Sequence, residues 1–272
     1  MNLHKALLSI TRSKIYRGIQ MLWIGDLEYR THRAIQQHLS TFALHQRNFP
    51  QFKGKHFGQD LVIVATGPSF VDYQPIPCAT HIGLNRAFQQ EKVPLDYFFL
   101  LDGGTVFTRE EMHAMNTYRG ENCIKFYGNM PIEMQNGDKF ISEFDAQEAH
   151  ALRFDVDCWP QARGNPFVFT YDLSTAPFGH VYSTIFVPIQ FALWTNPRRL
   201  FLVGCDCSHG GHFYTTAQNN ELCIDKIYEG YLNLKKFAAR YYPQTEIISV
   251  NPVGLKGLFK DWNQKDGEPM PK

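Results

Sequence analysis

Short runs of β-branched and aromatic residues recur from residue 60 onward, and most end at a turn-forming or polar residue. Asp60-Leu-Val-Ile-Val-Ala-Thr66 ends at Gly67-Pro68-Ser69, and Thr80-His-Ile-Gly-Leu-Asn85 ends at its own Asn. Leu95-Asp-Tyr-Phe-Phe-Leu-Leu101 stops at Asp102-Gly103-Gly104, and Asn122-Cys-Ile-Lys-Phe-Tyr127 forms a fourth run. Arg199-Leu-Phe-Leu-Val203 stops at Gly204-Cys205-Asp206, and Glu246-Ile-Ile-Ser-Val250 stops at Asn251-Pro252. Apolar residues at consecutive rather than alternate positions suit strands covered on both faces, as in a parallel sheet. Between the runs the apolar spacing turns helical. Ile185, Ile189, Ala192 and Leu193 share a face over 183–196, where Pro188 marks a kink or a first-turn residue. Ile224, Ile227, Tyr228, Tyr231, Leu234 and Ala238 do the same over 220–241. The alternation predicts βαβ units and an α/β, Rossmann-like, mostly parallel sheet with helices on both faces.

Two segments depart from this pattern. Residues 1–55 have few Gly, lack Pro before Pro50, and read as an N-terminal helical arm, with Leu8, Arg12, Ile15 and Ile19 on one face. Lys5, Arg12, Lys14 and Arg17 make that arm cationic. It can dock on the core, on a second copy of the chain, or on an anionic membrane. Residues 129–178 are poorly periodic and rich in Asn, Asp, Gly and Pro, and read as a lid-like insertion over the strand ends. The rest of 56–272 is expected to form one nucleotide-binding catalytic domain.

Composition narrows the function classes. Across 272 residues, Lys+Arg number 27 and Asp+Glu 26, a net charge of +1, so no basic field exists for bulk binding to nucleic acid. The six cysteines show no disulfide framework and are expected to be reduced, in a cytoplasmic protein. No secretory leader and no membrane span are expected, because charged residues interrupt every apolar stretch.

Ligands of doubly wound sheets bind at the carboxyl ends of the strands, and this chain collects polar residues there: Thr66, Ser69, Asn85, Asp102, Asp206 and Asn251. Gly67 in Ala65-Thr66-Gly67-Pro68-Ser69 allows close backbone approach, and Ser69 can cap a following helix whose free N–H groups attract phosphate. Asn85 can offer both a donor and an acceptor to a base or ribose. Asp102 and Asp206 can hold a ribose diol, a Mg²⁺ ion or an acceptor hydroxyl. Ser183 and Thr184, opening a helix, again suit an anion. For each of these the plain alternative is a turn or a helix cap. Cys205, Cys207, His209 and His212 form a soft-ligand cluster, but C-x-C spacing without a second distant pair argues against structural zinc. A Gly-rich loop carrying His212 or His209 as general base fits better.

Taken in order, VIVATGPSF, GLNRAF, a Ser/Thr-led helix, LFLVGCDCSHGGHFY, a terminal helix and IISVNPVGLKGLF resemble the bacterial sialyltransferases of glycosyltransferase family 42. They also resemble the related 6-hydroxymethylpterin pyrophosphokinase-like group. The resemblance covers about residues 56–260. It implies that Ala65 through Ser69, including Pro68, match the donor-contacting Gly-Asn-Gly-Pro-Ser loop. It likewise matches Asn85 to the cytidine-contacting Asn, Ser183 and Thr184 to the Thr-Ser-Gly helix start, and Gly204 and Asp206 to the Gly-x-Asp strand end. Tyr214 then matches a phosphate-contacting Tyr. The chain departs from the pattern at Ala65 and Thr66, and residues 215–250 hold no His where the family has its catalytic one. The base therefore falls to His212, with His209 and His180 as alternatives.

The expected activity is transfer of a sugar, sialic acid or a related one, from a nucleotide-activated, CMP-linked donor to a glycan or glycolipid acceptor. His212 and Asp206 would be catalytic and no cofactor would be needed. The alternatives are diphosphate transfer from ATP to a small alcohol, with Mg²⁺ on Asp102 and Asp206, or an inactive nucleotide-binding subunit. A homo-oligomer and peripheral contact with the inner face of a membrane through residues 1–50 are further expectations.

Overall fold

A computed structural model of the chain describes residues 41–101, 107–129, 151–157, 169–215 and 223–271. The six predicted strands all form: β1 (Asp60–Val64), β2 (Thr80–Leu84), β3 (Tyr97–Leu100), β4 (Ile124–Asn129), β7 (Arg199–Val203) and β8 (Glu246–Val250). Three more join them: β5 (Ala151–Asp157), β6 (Phe178–Gly179) and β9 (Lys260–Trp262). The sheet order is β6-β5-β4-β3-β2-β1-β7-β8-β9. Every neighbouring pair runs parallel, β1 lying against β2 on one side and β7 on the other.

Parallel strands need both faces covered, and the side chains divide accordingly. Leu61 and Ile63 of β1 enter one core with Phe99, Phe126, Leu200 and Leu202, under α2 (Phe186–Trp194) and α3 (Ile224–Tyr241). Val62 and Val64 enter the other, with Phe98, Phe201 and Val203, under α1 (Arg109–Thr117) and the short 3₁₀ turns. The α/β, Rossmann-like architecture is thus the one the alternation predicts. Pro188 is the third residue of α2, where an N–H has no intrahelical partner, so it is a first-turn residue and not a kink.

Residues 41–48 are helical, and Phe49 and Phe52 lie in the core at 0% and 2% exposure, so this part of the arm docks on the core, one of the placements expected for it. His45 locks it down: its Nε2 accepts from the Asp155 amide at 2.9 Å and its Nδ1 donates to the Leu173 carbonyl at 2.9 Å. Thr41 adds a 2.6 Å bond to Asp155. Residues 1–40, with those cationic residues, lie outside the described residues. Within 129–178, residues 151–157 are a sheet strand, and residues 130–150 and 158–168 lie outside the described residues.

Candidate functional site

The chain adds strands outward from β1 to β6, then returns to place β7 on the other side of β1. Such an order reversal opens a crevice at the carboxyl ends of the two strands flanking it. A cleft of about 360 Å³ lies there. Thr66, Gly67, Asn85, Ser183, Thr184, Gly204, Asp206, His212 and Tyr214 all line it, although they come from far-apart parts of the chain. His180, held as an alternative base, also lines it. Pro68, Ser69 and His209 do not, and Asp102 lies outside the described residues.

The Gly-Pro-Ser turn is built differently from the expectation. Residues Pro68–Asp72 form a short 3₁₀ helix. Its amide at Ser69 donates to Asp206 Oδ2 at 2.9 Å, and the Ser69 hydroxyl donates to Asp206 Oδ1. The anion at this turn is therefore the protein's own carboxylate. Asp206 is 7% exposed, and burial raises its pKa above the usual carboxylate value while Ser69 opposes the rise. Asp206 ties the end of β7 to the turn after β1. Gly67 is required by the same closeness: a Cβ there would stand 2.5 Å from the Gly204 carbonyl oxygen.

The Gly-rich loop after β7 folds back onto Thr66. The Phe213 amide donates to the Thr66 carbonyl at 2.8 Å, and His212 Nδ1 lies 2.9 Å from Thr66 Oγ1. Tyr214 lies parallel to His212, with centroids 5.0 Å apart and planes 6° apart. The imidazole is thus fixed at one ring nitrogen and on one face. Among the described residues no group of three or more His, Cys, Asp or Glu is placed to hold a metal ion. Burial instead raises the Cys207 thiol pKa to about 11 and pushes Cys205 higher still, which keeps both protonated and poor as ligands.

The opposite wall runs from the end of β6 into α2. Gln190, 1% exposed on α2, accepts from the Thr170 and Gly179 amides at 3.1 and 3.0 Å. It donates to the Gly179 and Phe186 carbonyls at 2.7 and 2.8 Å. These four bonds use the whole carboxamide and hold β6, which ends just before His180. Burial lowers the His180 pKa to about 4, so its ring is neutral at physiological pH. Tyr182 adopts φ +52°, a backbone position that bulky side chains rarely take. Ile185 caps α2 without a side-chain bond, which leaves the Ser183 and Thr184 hydroxyls at the cleft, Thr184 accepting from Asn85 Nδ2 at 3.2 Å.

Several cleft residues carried no sequence signal. Arg86 follows Asn85 in a 3₁₀ turn and pairs with Glu111 of α1 at 2.6 Å. Phe107 and Tyr231 join it in the lining. Only their neighbours in three dimensions single them out. Glu111 could have been flagged differently, because Thr108-x-x-Glu111 is a capping-box pattern that marks the start of α1.

The class defined by this fold and crevice is a Rossmann-like α/β protein with its site at the order reversal. No family model and no curated protein matches the sequence. Among solved structures, the sialyltransferase CST-II in complex with a trisaccharide acceptor and CMP is similar. It shows a TM-score of 0.48 and 12% identity over 78% of this chain and 89% of that one. CstII from Campylobacter jejuni with CMP-3FNeuAc gives a TM-score of 0.46 and 12% identity over 75% and 85%. The MAf glycosyltransferase from Magnetospirillum magneticum AMB-1 gives 0.45 and 11% over 86% of this chain and 39% of that one. At these scores the site has to be read from this chain's own residues.

Proposed function

We propose that the cleft binds a sugar linked to a nucleoside monophosphate, CMP foremost, and that the protein is a glycosyltransferase acting on a glycan or glycolipid acceptor. The observation that carries this reading is how the cleft's charges are spent. Among the described lining residues, the Arg86 cation is matched by Glu111 and the Asp206 carboxylate by Ser69. What remains is a neutral lining that carries the hydroxyls of Thr66, Tyr182, Ser183, Thr184, Ser208 and Tyr214. Such a lining suits the single negative charge of a phosphodiester better than a di- or triphosphate, which needs matching cations. The order of motifs, resembling the sialyltransferases, points the same way.

In this mechanism the acceptor hydroxyl oxygen bonds to the anomeric carbon while the bond from that carbon to the phosphate oxygen breaks. His212 accepts the hydroxyl proton. Tyr214 and Ser183 donate hydrogen bonds to the departing nucleoside monophosphate; the amides of Gly67 and Ser69, expected to do so from the sequence, are taken by the Gly204 carbonyl and the Asp206 carboxylate. Thr66 holds the imidazole at Nδ1. The diphosphate-transfer alternative is weakened, since one of its two metal-binding carboxylates is engaged by Ser69.

Calorimetry with CMP, CDP, UDP and GDP tests the reading. CMP is expected to bind without added metal, and a failure of all four to bind would overturn it. Mg²⁺-dependent ATP binding that disappears in Asp206→Asn would support diphosphate transfer instead. CMP binding without donor hydrolysis or transfer would keep the nucleotide site and remove the catalytic role.

A further inference from the structure

Arg86 stands in a chain of contacts that runs from α1 to the loop bearing His212. Its Nε donates to Glu111 Oε1 at 2.6 Å and its Nη2 to Glu111 Oε2 at 3.0 Å. The guanidinium carbon lies 4.6 Å from the Phe107 ring centroid and 5.5 Å from that of Tyr214. Tyr214 in turn stacks on His212, and His212 reaches Thr66. Glu111 is anchored as well: it accepts from the Thr108 amide at 2.9 Å, and its own amide donates to Thr108 Oγ1 at 3.2 Å, closing the capping box of α1.

We infer that Arg86 is a positioning residue, which acts through Tyr214 to set where the His212 imidazole stands in the cleft. The inference rests on reading His212 as the proton acceptor. Tyr214 sits in a turn closed by a single bridge between His212 and Thr215 and tied to Thr66 through the Phe213 amide. Those backbone bonds place the turn, and the contacts with the imidazole and the guanidinium orient the Tyr214 ring. Only a planar, delocalised cation can pair with Glu111 through two parallel bonds and also lie against two aromatic rings. A lysine ammonium keeps the charge and loses both the fork and the stack. With its charge matched by Glu111, Arg86 serves as a brace for the loop and not as a ligand for the donor phosphate.

The test is the proton spectrum of the His212 ring in the full chain, assigned by its loss in His212→Asn. Stacking under Tyr214 is expected to move the carbon-bound imidazole protons upfield of a free histidine, and Tyr214→Leu should abolish that shift. Arg86→Lys and Arg86→Met should abolish it too, while the rest of the amide spectrum stays that of the folded protein. Glu111→Gln should reduce it, and serves if the Arg86 variants fold poorly. In a transfer assay Arg86→Lys should lower kcat by up to about a hundred-fold with little change in donor KM, the scale expected when a catalytic group is displaced by about 1 Å. An unchanged His212 shift in both Arg86 variants would overturn the inference, whatever the nucleotide result. A lost shift in a protein that binds no nucleotide would keep the brace and end the transferase reading.

Discussion

Replacing Gly67 by Ala tests how closely the two strands flanking the cleft are joined. Gly67 has ordinary extended dihedrals, φ −64° and ψ 152°, so conformation alone would admit alanine. Space does not. The added Cβ would meet the Gly204 carbonyl oxygen at 2.5 Å and Asp206 Cγ at 2.6 Å, whereas non-bonded carbons settle at about 3.5–4.0 Å. Neither neighbour is a loose side-chain end: one is backbone and the other is a buried carboxylate fixed by Ser69. Relief requires the ends of β1 and β7 to separate. That stretches the 2.8 Å bond from the Gly67 amide to the Gly204 carbonyl and disturbs the Asp206–Ser69 pair. Overpacking costs about 1–3 kcal/mol, and a weakened hydrogen bond adds about 1 kcal/mol. The expected loss is therefore about 2–4 kcal/mol, read as a lower urea midpoint with an unchanged slope, and as a fall in Tm of roughly 5–10 °C. Nucleotide affinity, measured on the folded fraction, should fall with it. A variant within about 0.5 kcal/mol of the parent, the range of an inert surface change, would refute the tight junction of the turn with β7.

Other outcomes follow from the same contacts. Burial lowers the folded-state pKa of His45, His56, His81 and His180 below that of an unfolded chain. Their folded cations are disfavoured, so stability should be full above about pH 6.5 and decline as the pH falls toward 4. His180 alone should account for roughly 3 kcal/mol of that decline, and His180→Gln should flatten the pH dependence of the urea midpoint by that much. Gln190→Leu leaves the Gly179 and Thr170 amides without their buried acceptor, so a loss of about 3 kcal/mol is expected, with faster hydrogen exchange at Gly179. Thr66→Val, nearly isosteric, should leave the fold intact and release His212, seen as a changed ring titration in NMR.

The strands that were legible in the sequence are those in the middle of the sheet, where burial on both faces forces unbroken apolar runs such as Leu61–Val64. The edge of the sheet was harder to read. β5 alternates Leu152, Phe154 and Val156 with Arg153, Asp155 and Asp157, a period-two signal obscured by irregular sequence on both sides. β6 and β9 are two and three residues long, too short for any period to register. The strand-end rule located the cleft and most of its lining, because chain direction in a parallel sheet is common to all strands. It could not show that Asp206 answers Ser69, because spacing along the chain does not reveal that β7 returns beside β1. Nor could it show Arg86 reaching Glu111, which depends on how a 3₁₀ turn leans on a neighbouring helix.

The order reversal at β1 also governs when the cleft comes into being. Gly67 lines it together with residues from 180–185 and 204–214 and with the buried Tyr231. During synthesis the first six strands can pair in sequence, each beside its predecessor, and the result would still lack the cleft. Only when β7 has emerged and slotted in on the far side of β1 does the carboxylate of Asp206 arrive to tie down Ser69. A ribosome-bound chain stopped short of that point would expose the bare flank of β1, an unpaired edge of the kind that recruits chaperones or aggregates. The cleft therefore exists only once the sheet has closed around β1.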